Sequence, residues 1–210
     1  MAKKSLKAGI FITFEGPEGC GKSTHSAMLC EYLKSRGYDC VHTREPGGTS
    51  LGEKIRELLL HSDGIKISDI SELFLFEAAR SQIVVEVIMP ALEAGKIVIC
   101  DRFSDATFSY QGYGGKVPLE VIRALDRVST KGLKPRLTIL LDVDTITGLS
   151  RAKRKGSDRM EKKDVTYHRR VRSGYLDLAR RYHGRIKVIK AGGTIQKTQA
   201  MVRREVDRVI

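Results

Sequence analysis

The sequence predicts one α/β domain with a five-stranded, mostly parallel sheet flanked by helices. Three observations lead to this fold class. Five short apolar runs rich in β-branched residues indicate buried strands, helical patterns separate them, and Gly- or Pro-containing stretches fall between them. Strands that alternate with helices along a chain join as parallel crossovers. The 210 residues fit a single domain, residues 1–210, with no linker or repeat.

The strand and helix boundaries follow from these patterns. The predicted strands are residues 10–14, 40–43, 97–100, 137–143 and 187–190. The predicted helices are residues 22–36, 51–60, 68–94 with a break at Pro90, 118–128, 145–155, 165–182, and a last one from about residue 194. Residues 112–118 are predicted to form a loop. In such a fold, ligands bind at the carboxyl ends of the strands.

Composition narrows the class of protein. Hydrophobic residues make up 41% of the chain and charged residues 30%, as in a folded globular protein. No apolar run approaches the ~20 residues of a membrane span, and the basic N-terminus lacks the apolar segment of a signal peptide. We therefore expect a cytoplasmic protein without membrane attachment. The four cysteines form no Cys-x-x-Cys pair, so we expect free thiols and no zinc site.

The net charge of +13 indicates a polyanionic partner. Much of it is local, because residues 151–185 contain 13 Lys or Arg against four acidic residues. A nucleotide with several phosphates and a nucleic acid would both suit such a segment. No recognised nucleic-acid-binding motif accompanies the charge, so nucleic-acid binding is kept only as an alternative.

A glycine-rich segment lies between the first predicted strand and the first predicted helix. Its spacing, Gly-x-x-x-x-Gly-Lys-Ser, is that of a P-loop, whose backbone N–H groups surround phosphate oxygens at a helix N-terminus. We expect Lys22 to reach the β- and γ-phosphates of ATP and Ser23 to bind Mg²⁺. An incidental glycine-rich turn is the alternative. The predicted ATP-binding residues are Gly16, Pro17, Glu18, Gly19, Cys20, Gly21, Lys22, Ser23 and Thr24.

Asp101 directly follows the apolar strand 97–100. An acid at this position of a P-loop protein can hold the magnesium shell, directly or through water. The alternative is an ordinary aspartate at a strand end. Asp101 is therefore a predicted metal ligand beside Ser23.

A P-loop by itself does not identify the phosphoryl acceptor. The guanine-specifying pattern Asn-Lys-x-Asp is missing, since residues 141–144 read Leu-Asp-Val-Asp, which argues against a GTPase. The chain is short for a motor ATPase. A compact kinase of a small acceptor remains.

Further strings resemble the bacterial type of the thymidylate kinase family, within the nucleoside-monophosphate kinase group. Thr-Arg-Glu-Pro-Gly-Gly-Thr at residues 43–49 is the most family-specific of them. The others are the P-loop string 14–24, Leu-Phe-Glu-Ala-Ala-Arg-Ser-Gln at 75–82, Asp-Arg-Phe at 101–103, Ser-Tyr-Gln-Gly at 109–112, and the basic stretch 151–159. The resemblance covers nearly the whole chain.

The resemblance implies transfer of the ATP γ-phosphoryl group to dTMP, with Mg²⁺, by a homodimer. Phe76 and Arg80 are four residues apart on a predicted helix, so ring and guanidinium share a face. Phe76 would stack on thymine, and Arg80 and Arg102 would hold the acceptor phosphate; core packing and surface ion pairs are the alternatives. The dTMP-binding residues implied by the resemblance are Glu18, Pro46, Phe76, Arg80, Arg102, Thr107, Tyr110 and Gln111.

The resemblance also implies a short basic lid at about residues 150–163. The P-loop contains no arginine, so an arginine of the lid would stabilise charge on the transferred group. The candidates are Arg151, Arg154 and Arg159, of which Arg151 and Arg159 are favoured. Glu18 would lie near the acceptor 3′-hydroxyl and Mg²⁺, which makes it a catalytic and metal candidate together with Lys22 and Arg102. A kinase of another monophosphate or of a nucleoside stays open as a rival function.

Overall fold

The computed structural model describes residues 8–61, 64–153 and 158–210. Two short π-helical segments, Val84–Ile88 and Phe108–Gly114, continue from the helices that precede them. The helices and strands are β1 (Ile10–Glu15), α1 (Lys22–Ser35), β2 (Cys40–Arg44), α2 (Ser50–His61), α3 (Asp69–Ile83), α4 (Met89–Glu93), β3 (Ile97–Asp101), α5 (Ser104–Thr107), α6 (Leu119–Ser129), β4 (Leu137–Asp142), α7 (Thr145–Lys153), α8 (Val165–Arg181), β5 (Ile186–Lys190) and α9 (Ile195–Val206).

The sheet has five strands in the order β2-β3-β1-β4-β5, and every neighbouring pair is parallel. This confirms the predicted fold class. The register pairs Phe14 of β1 with Asp101 of β3 and with Ile139 of β4. The carboxyl ends of all five strands therefore meet at one edge, where a ligand is expected.

Both faces of the sheet are covered, as the unbroken apolar strands predict. On one face, Ile12 and Phe14 of β1 share a buried cluster with Leu29 of α1 and Val202 of α9. On the other, Phe11 and its neighbours on β3 pack against the end of α3 and the π-helical segment that follows it. Each fully buried large apolar side chain stabilises the fold by about 1.5–3 kcal/mol.

Three helices begin at residues whose side chains cap them. Ser68, Asp164 and Thr194 precede α3, α8 and α9, and each accepts a hydrogen bond from the backbone N–H three residues later. Such caps satisfy one of the unpaired donors in a first helical turn. The observed helices therefore start within a residue of the predicted ones.

Two predicted features differ from the structure. The predicted loop 112–118 is wrong at its start, because α5 and the π-helix Phe108–Gly114 continue to Gly114. The break predicted at Pro90 falls earlier, at the π-helical segment Val84–Ile88. Pro90 itself lies in the first turn of α4, directly after that π-helical segment, and its ring nitrogen has no N–H to donate to the preceding turn.

Within the described ranges, no helix has the length and apolar character needed to cross a membrane.

Candidate active site

A cavity of about 670 Å³ opens at the carboxyl edge of the sheet. Its walls come from the P-loop, the segment after β2, α3, the segment after β3, and the ends of α7 and α9. Most of the predicted site residues line it: Glu18, Gly19, Cys20, Gly21, Lys22, Ser23, Thr24, Pro46, Phe76, Arg80, Asp101, Arg102, Thr107, Tyr110, Gln111 and Arg151. The structure thus gathers residues that lie far apart in the sequence.

The P-loop adopts a conformation that only glycine permits. Gly16 and Gly19 have φ of 142° and 64°, and a Cβ would lie 2.3 Å from Leu141 O and 2.0 Å from Gly148 O respectively. Helix α1 begins at Lys22, so its N-terminal end faces the loop. The Nζ of Lys22 donates to Gly16 O at 3.1 Å and to Pro17 O at 2.9 Å. The loop therefore places the Lys22 ammonium beside the N-terminal end of α1.

Ser23 and Asp101 meet beside the P-loop. The Oγ of Ser23 donates to Asp101 Oδ2 at 2.5 Å, and Asp101 Oδ1 is buried without a hydrogen-bond partner in the described chain. Magnesium accepts one or two protein oxygens and completes its shell with phosphate and water. A hydroxyl and a buried, unpartnered carboxylate oxygen fit this requirement.

Glu18, Arg102 and Tyr110 form a cluster between the P-loop and the segment after β3. The Nη2 of Arg102 donates to both carboxylate oxygens of Glu18, at 2.9 and 3.0 Å, and Tyr110 Oη donates to Glu18 Oε1 at 2.6 Å. Burial raises the pKa of Glu18, but the charges of Arg102 and Lys22 outweigh it and lower that pKa to about 2. Arg102 has φ of 71°, a strained value for a side chain of this size, and such strain concentrates at functional sites.

Arg80 lies between two carboxylates rather than at the surface. Its Nε donates to Glu45 at 2.8 Å, its Nη1 to Glu77 at 2.6 Å, and its Nη2 to Phe103 O at 3.1 Å, and the side chain is 2% exposed. Burial raises the pKa of Glu45 to about 7, although the charge of Arg80 opposes the rise. Two acids therefore offset the single positive charge of Arg80.

The other residues that the sequence predicts on the acceptor side also line the cavity. Phe76 is half-buried. It packs against a buried cluster that includes residues of α8, and it also lines the cavity. Thr107 and Gln111 are buried, and Gln111 Nε2 donates to Glu72 Oε1 at 2.8 Å. Pro46 follows a cis peptide bond and is also buried.

The structure separates the two favoured lid arginines. Arg151, on α7, lines the cavity and donates through Nη1 to Ala191 O at 3.2 Å. Arg159 is not part of the cavity wall; it donates through Nε to Leu59 O at 2.7 Å and through Nη2 to Glu72 at 2.6 Å. Arg154, the third candidate, and residues 154–157 of the predicted lid lie outside the described residues.

Several wall residues were not predicted. Arg56 of α2 donates to Pro46 O at 2.9 Å, and burial together with the charges of Arg44 and Arg102 lowers its pKa. Its sequence position, inside an amphipathic helix, carries no signal for a site. Glu161 also lines the cavity, and burial raises its pKa to about 7. Glu45, Ala191 and Gly193 had a usable signal, because they follow the carboxyl ends of the parallel strands β2 and β5.

The site combines three features of P-loop kinases. A glycine loop lies between a strand and the N-terminus of a helix, a Ser–Asp pair fits magnesium, and arginines line the same cavity. Together they indicate a P-loop phosphotransferase of the kinase type. Comparison with known proteins narrows this class. The thymidylate kinase family profile matches residues 14–202. The chain therefore belongs to the thymidylate kinase family and is an enzyme of the transferase class.

Individual relatives agree over most of their length. The chain is 50% identical over 185 residues to a thymidylate kinase of Synechococcus sp., covering 88% of each chain. It is 46% identical over 187 residues to that of Deinococcus radiodurans, covering 89% of this chain and 90% of the other. The crystal structure of thymidylate kinase from Ehrlichia chaffeensis superposes with a TM-score of 0.78 at 35% identity, covering 95% of this chain and 99% of that one. This likeness supports the assigned fold.

Proposed function

We propose that this chain transfers the γ-phosphoryl group of ATP to dTMP, giving dTDP and ADP. The observation that carries the proposal is the Glu18–Arg102–Tyr110 cluster, because it joins the phosphate loop to the acceptor pocket within one cavity. Phosphoryl transfer needs two substrates held in line and their charge neutralised, and a single cavity lined by the P-loop, Lys22 and Arg102 supports the proposal.

On the ATP side, the N–H groups of the P-loop and the N-terminus of α1 hold the phosphates. Lys22 exchanges its bonds to Gly16 O and Pro17 O for the β- and γ-phosphate oxygens. The first turn of α9 lines the wall beyond the loop, where the nucleoside of ATP would lie.

Ser23 and Asp101 are the residues that would hold Mg²⁺. When bound there, the ion neutralises phosphate charge and orients the γ-phosphoryl group. Glu18 stays a predicted metal ligand, but both of its oxygens accept from Arg102 in this structure. In this structure the charge of Glu18 holds the side chain of Arg102 in place.

On the acceptor side, Arg102 and Arg56 are the best-placed ligands for the 5′-phosphate. Glu18 pairs with Arg102, but Arg56 adds a second positive charge near it, whereas the charge of Arg80 is offset by two buried carboxylates, Glu45 and Glu77. Arg80 stays a predicted phosphate ligand, but its position suits it to support the wall of the base pocket. Phe76 would stack on thymine.

The remaining residues complete the site. Tyr110, fixed by its bond to Glu18, would lie beside the deoxyribose and exclude a 2′-hydroxyl sterically. Thr107, Pro46 and Gln111 would contact the acceptor. Arg151 faces the cavity and is the better-placed lid cation for charge on the transferred group.

Two measurements test this function. A coupled assay of ADP release compares dTMP with dUMP, UMP, dCMP, AMP and thymidine; best turnover on any acceptor other than dTMP would support a rival kinase. Lys22→Ala should reduce kcat by about 10³-fold or more with the fold retained, since it removes a charge on the transferred group. Full activity of this variant, with a native circular dichroism spectrum, would contradict the P-loop assignment.

We also propose that the chain acts as a homodimer. Ile70 and Phe74 are four residues apart on α3 and are 44% and 54% exposed. A second copy would bury this apolar pair, which otherwise faces water.

A further inference from the structure

Arg159 is anchored to the two helices beside the acceptor pocket. Its Nε donates to Leu59 O at 2.7 Å and its backbone N–H donates to Leu60 O at 3.1 Å, both at the end of α2. Its Nη2 donates to Glu72 Oε2 at 2.6 Å on α3, and Glu72 is 5% exposed. Bonds to two fixed helices suit a group that orients its neighbours.

The other oxygen of Glu72 contacts Gln111, a residue of the cavity wall. Glu72 Oε1 accepts from Gln111 Nε2 at 2.8 Å, and Gln111 is 3% exposed and lines the cavity. A carboxylate accepts hydrogen bonds and cannot donate them, so only the NH₂ end of the Gln111 amide can face Glu72. Glu72 thereby fixes the orientation of the Gln111 amide, so that the amide oxygen points away from Glu72 and can accept a hydrogen bond from another donor.

We propose that Arg159 is a positioning residue for base recognition, acting through Glu72 on the amide of Gln111. This proposal rests on the proposed function, in which Gln111 contacts the acceptor, and it assigns that contact to the thymine base. Thymine carries a hydrogen on ring nitrogen N3, and the Gln111 oxygen accepts it. Cytosine has a lone pair at N3 instead, so two acceptors would oppose each other. The chain Arg159–Glu72–Gln111 therefore favours dTMP over dCMP.

The competing assignment is the one that the sequence predicts, in which Arg159 stabilises the transferred phosphoryl group. That role lowers kcat for every acceptor by the same factor. A positioning role instead raises KM for dTMP and lowers the preference for dTMP over dCMP. The two roles therefore separate in steady-state kinetics.

The experiment compares Arg159→Met and Glu72→Gln with the wild-type chain at saturating MgATP. The kcat and KM for dTMP are measured, with dCMP as acceptor or, where its turnover is slow, as competitive inhibitor. We expect KM for dTMP to rise about tenfold and the dTMP/dCMP preference to fall about tenfold in both variants, with kcat for dTMP within about twofold. Arg159→Lys should restore part of the preference.

Arg172→Met is the matched control, because it breaks an ion pair of similar geometry, to Asp142 at 2.7 Å, away from the cavity wall. It should keep the wild-type preference. An equal fall in kcat for both acceptors in Arg159→Met, or an unchanged preference, would overturn the proposal. If Arg159→Met does not fold, the near-isosteric Glu72→Gln decides by the same ratio. A wild-type chain that does not prefer dTMP would contradict the proposed function instead.

Discussion

Glu15 is a fully buried acid at the end of β1 whose surroundings favour its neutral form. Its oxygens accept from Phe103 N at 2.7 Å and from Tyr175 Oη at 2.9 Å. Burial, with the nearby charge of Asp105, raises the pKa of Glu15 to about 8, against the lowering effect of Arg102. The native state therefore holds a proton here that the unfolded chain releases near pH 4.5.

This shift makes stability depend on pH. The folded pKa is raised, so the stabilisation is complete below about pH 4.5 and is lost as pH rises through about 8. Between those values Glu15 lowers the free energy of unfolding by up to about 1.4 kcal/mol per pH unit. Glu15→Gln should remove this contribution to the pH dependence of the unfolding free energy, which urea unfolding at pH 5.5, 6.5 and 7.5 measures. Glu120→Gln, at an exposed site, is the control and should keep the wild-type pH dependence. The same pH dependence of the unfolding free energy in Glu15→Gln and in the wild type would contradict the raised pKa of Glu15.

At the residue scale, the sequence predicts well those positions whose role follows from a motif. The P-loop residues, Ser23 and Asp101 lie together as their spacing predicts. For Arg159 the sequence says less, because a basic stretch does not show which arginine turns toward the cavity and which toward a neighbouring carboxylate. That choice depends on Glu72, which is 87 residues away in the chain.

Helix α8 connects its capping residue to Tyr110 in the cavity wall. Asp164 Oδ1 accepts from Tyr167 N at 2.7 Å, and Tyr167 Oη donates to Tyr110 O at 3.0 Å. Asp164→Ala should lower the free energy of unfolding by about 1 kcal/mol, since it leaves an N–H of the first turn unpaired. Urea unfolding measures this, and Asp164→Asn, which keeps a capping oxygen, should retain most of the stability. Equal stability of the Ala variant and the wild type would show that the cap does not stabilise α8.

The helices and strands differ in how well the sequence pattern predicts them. Strands such as β3 are unbroken apolar runs because both of their faces are buried, and that pattern is readable. Capped helices are readable from Ser68, Asp164 and Thr194. The π-helix Phe108–Gly114 is not, because one extra residue per turn over so short a stretch leaves no period distinct from an α-helix or a loop.

On the scale of the whole molecule, the fold explains why distant motifs cooperate. Parallel strands bring the segments after β1, β2, β3, β4 and β5 to one edge, and each of the predicted segments around residues 16–24, 43–49 and 101–111 follows such a strand. The fold class alone therefore predicts that these motifs share a cavity. It does not predict Arg56, which reaches the cavity from inside a helix.

The surface of α3 gives the last prediction, about assembly. Phe74 is 54% exposed and lies one turn from the exposed Ile70, so a charge at Phe74 should leave the fold intact but make burial against a second copy unfavourable. We expect the wild-type chain to have the mass of a dimer in sedimentation equilibrium and Phe74→Asp to have that of a monomer. Ile146→Asp, at a 53% exposed position on α7, should remain dimeric. A monomeric wild type would rule out the homodimer, whereas a dimeric Phe74→Asp would place the contact on another surface, because a buried, unpaired carboxylate opposes association through α3.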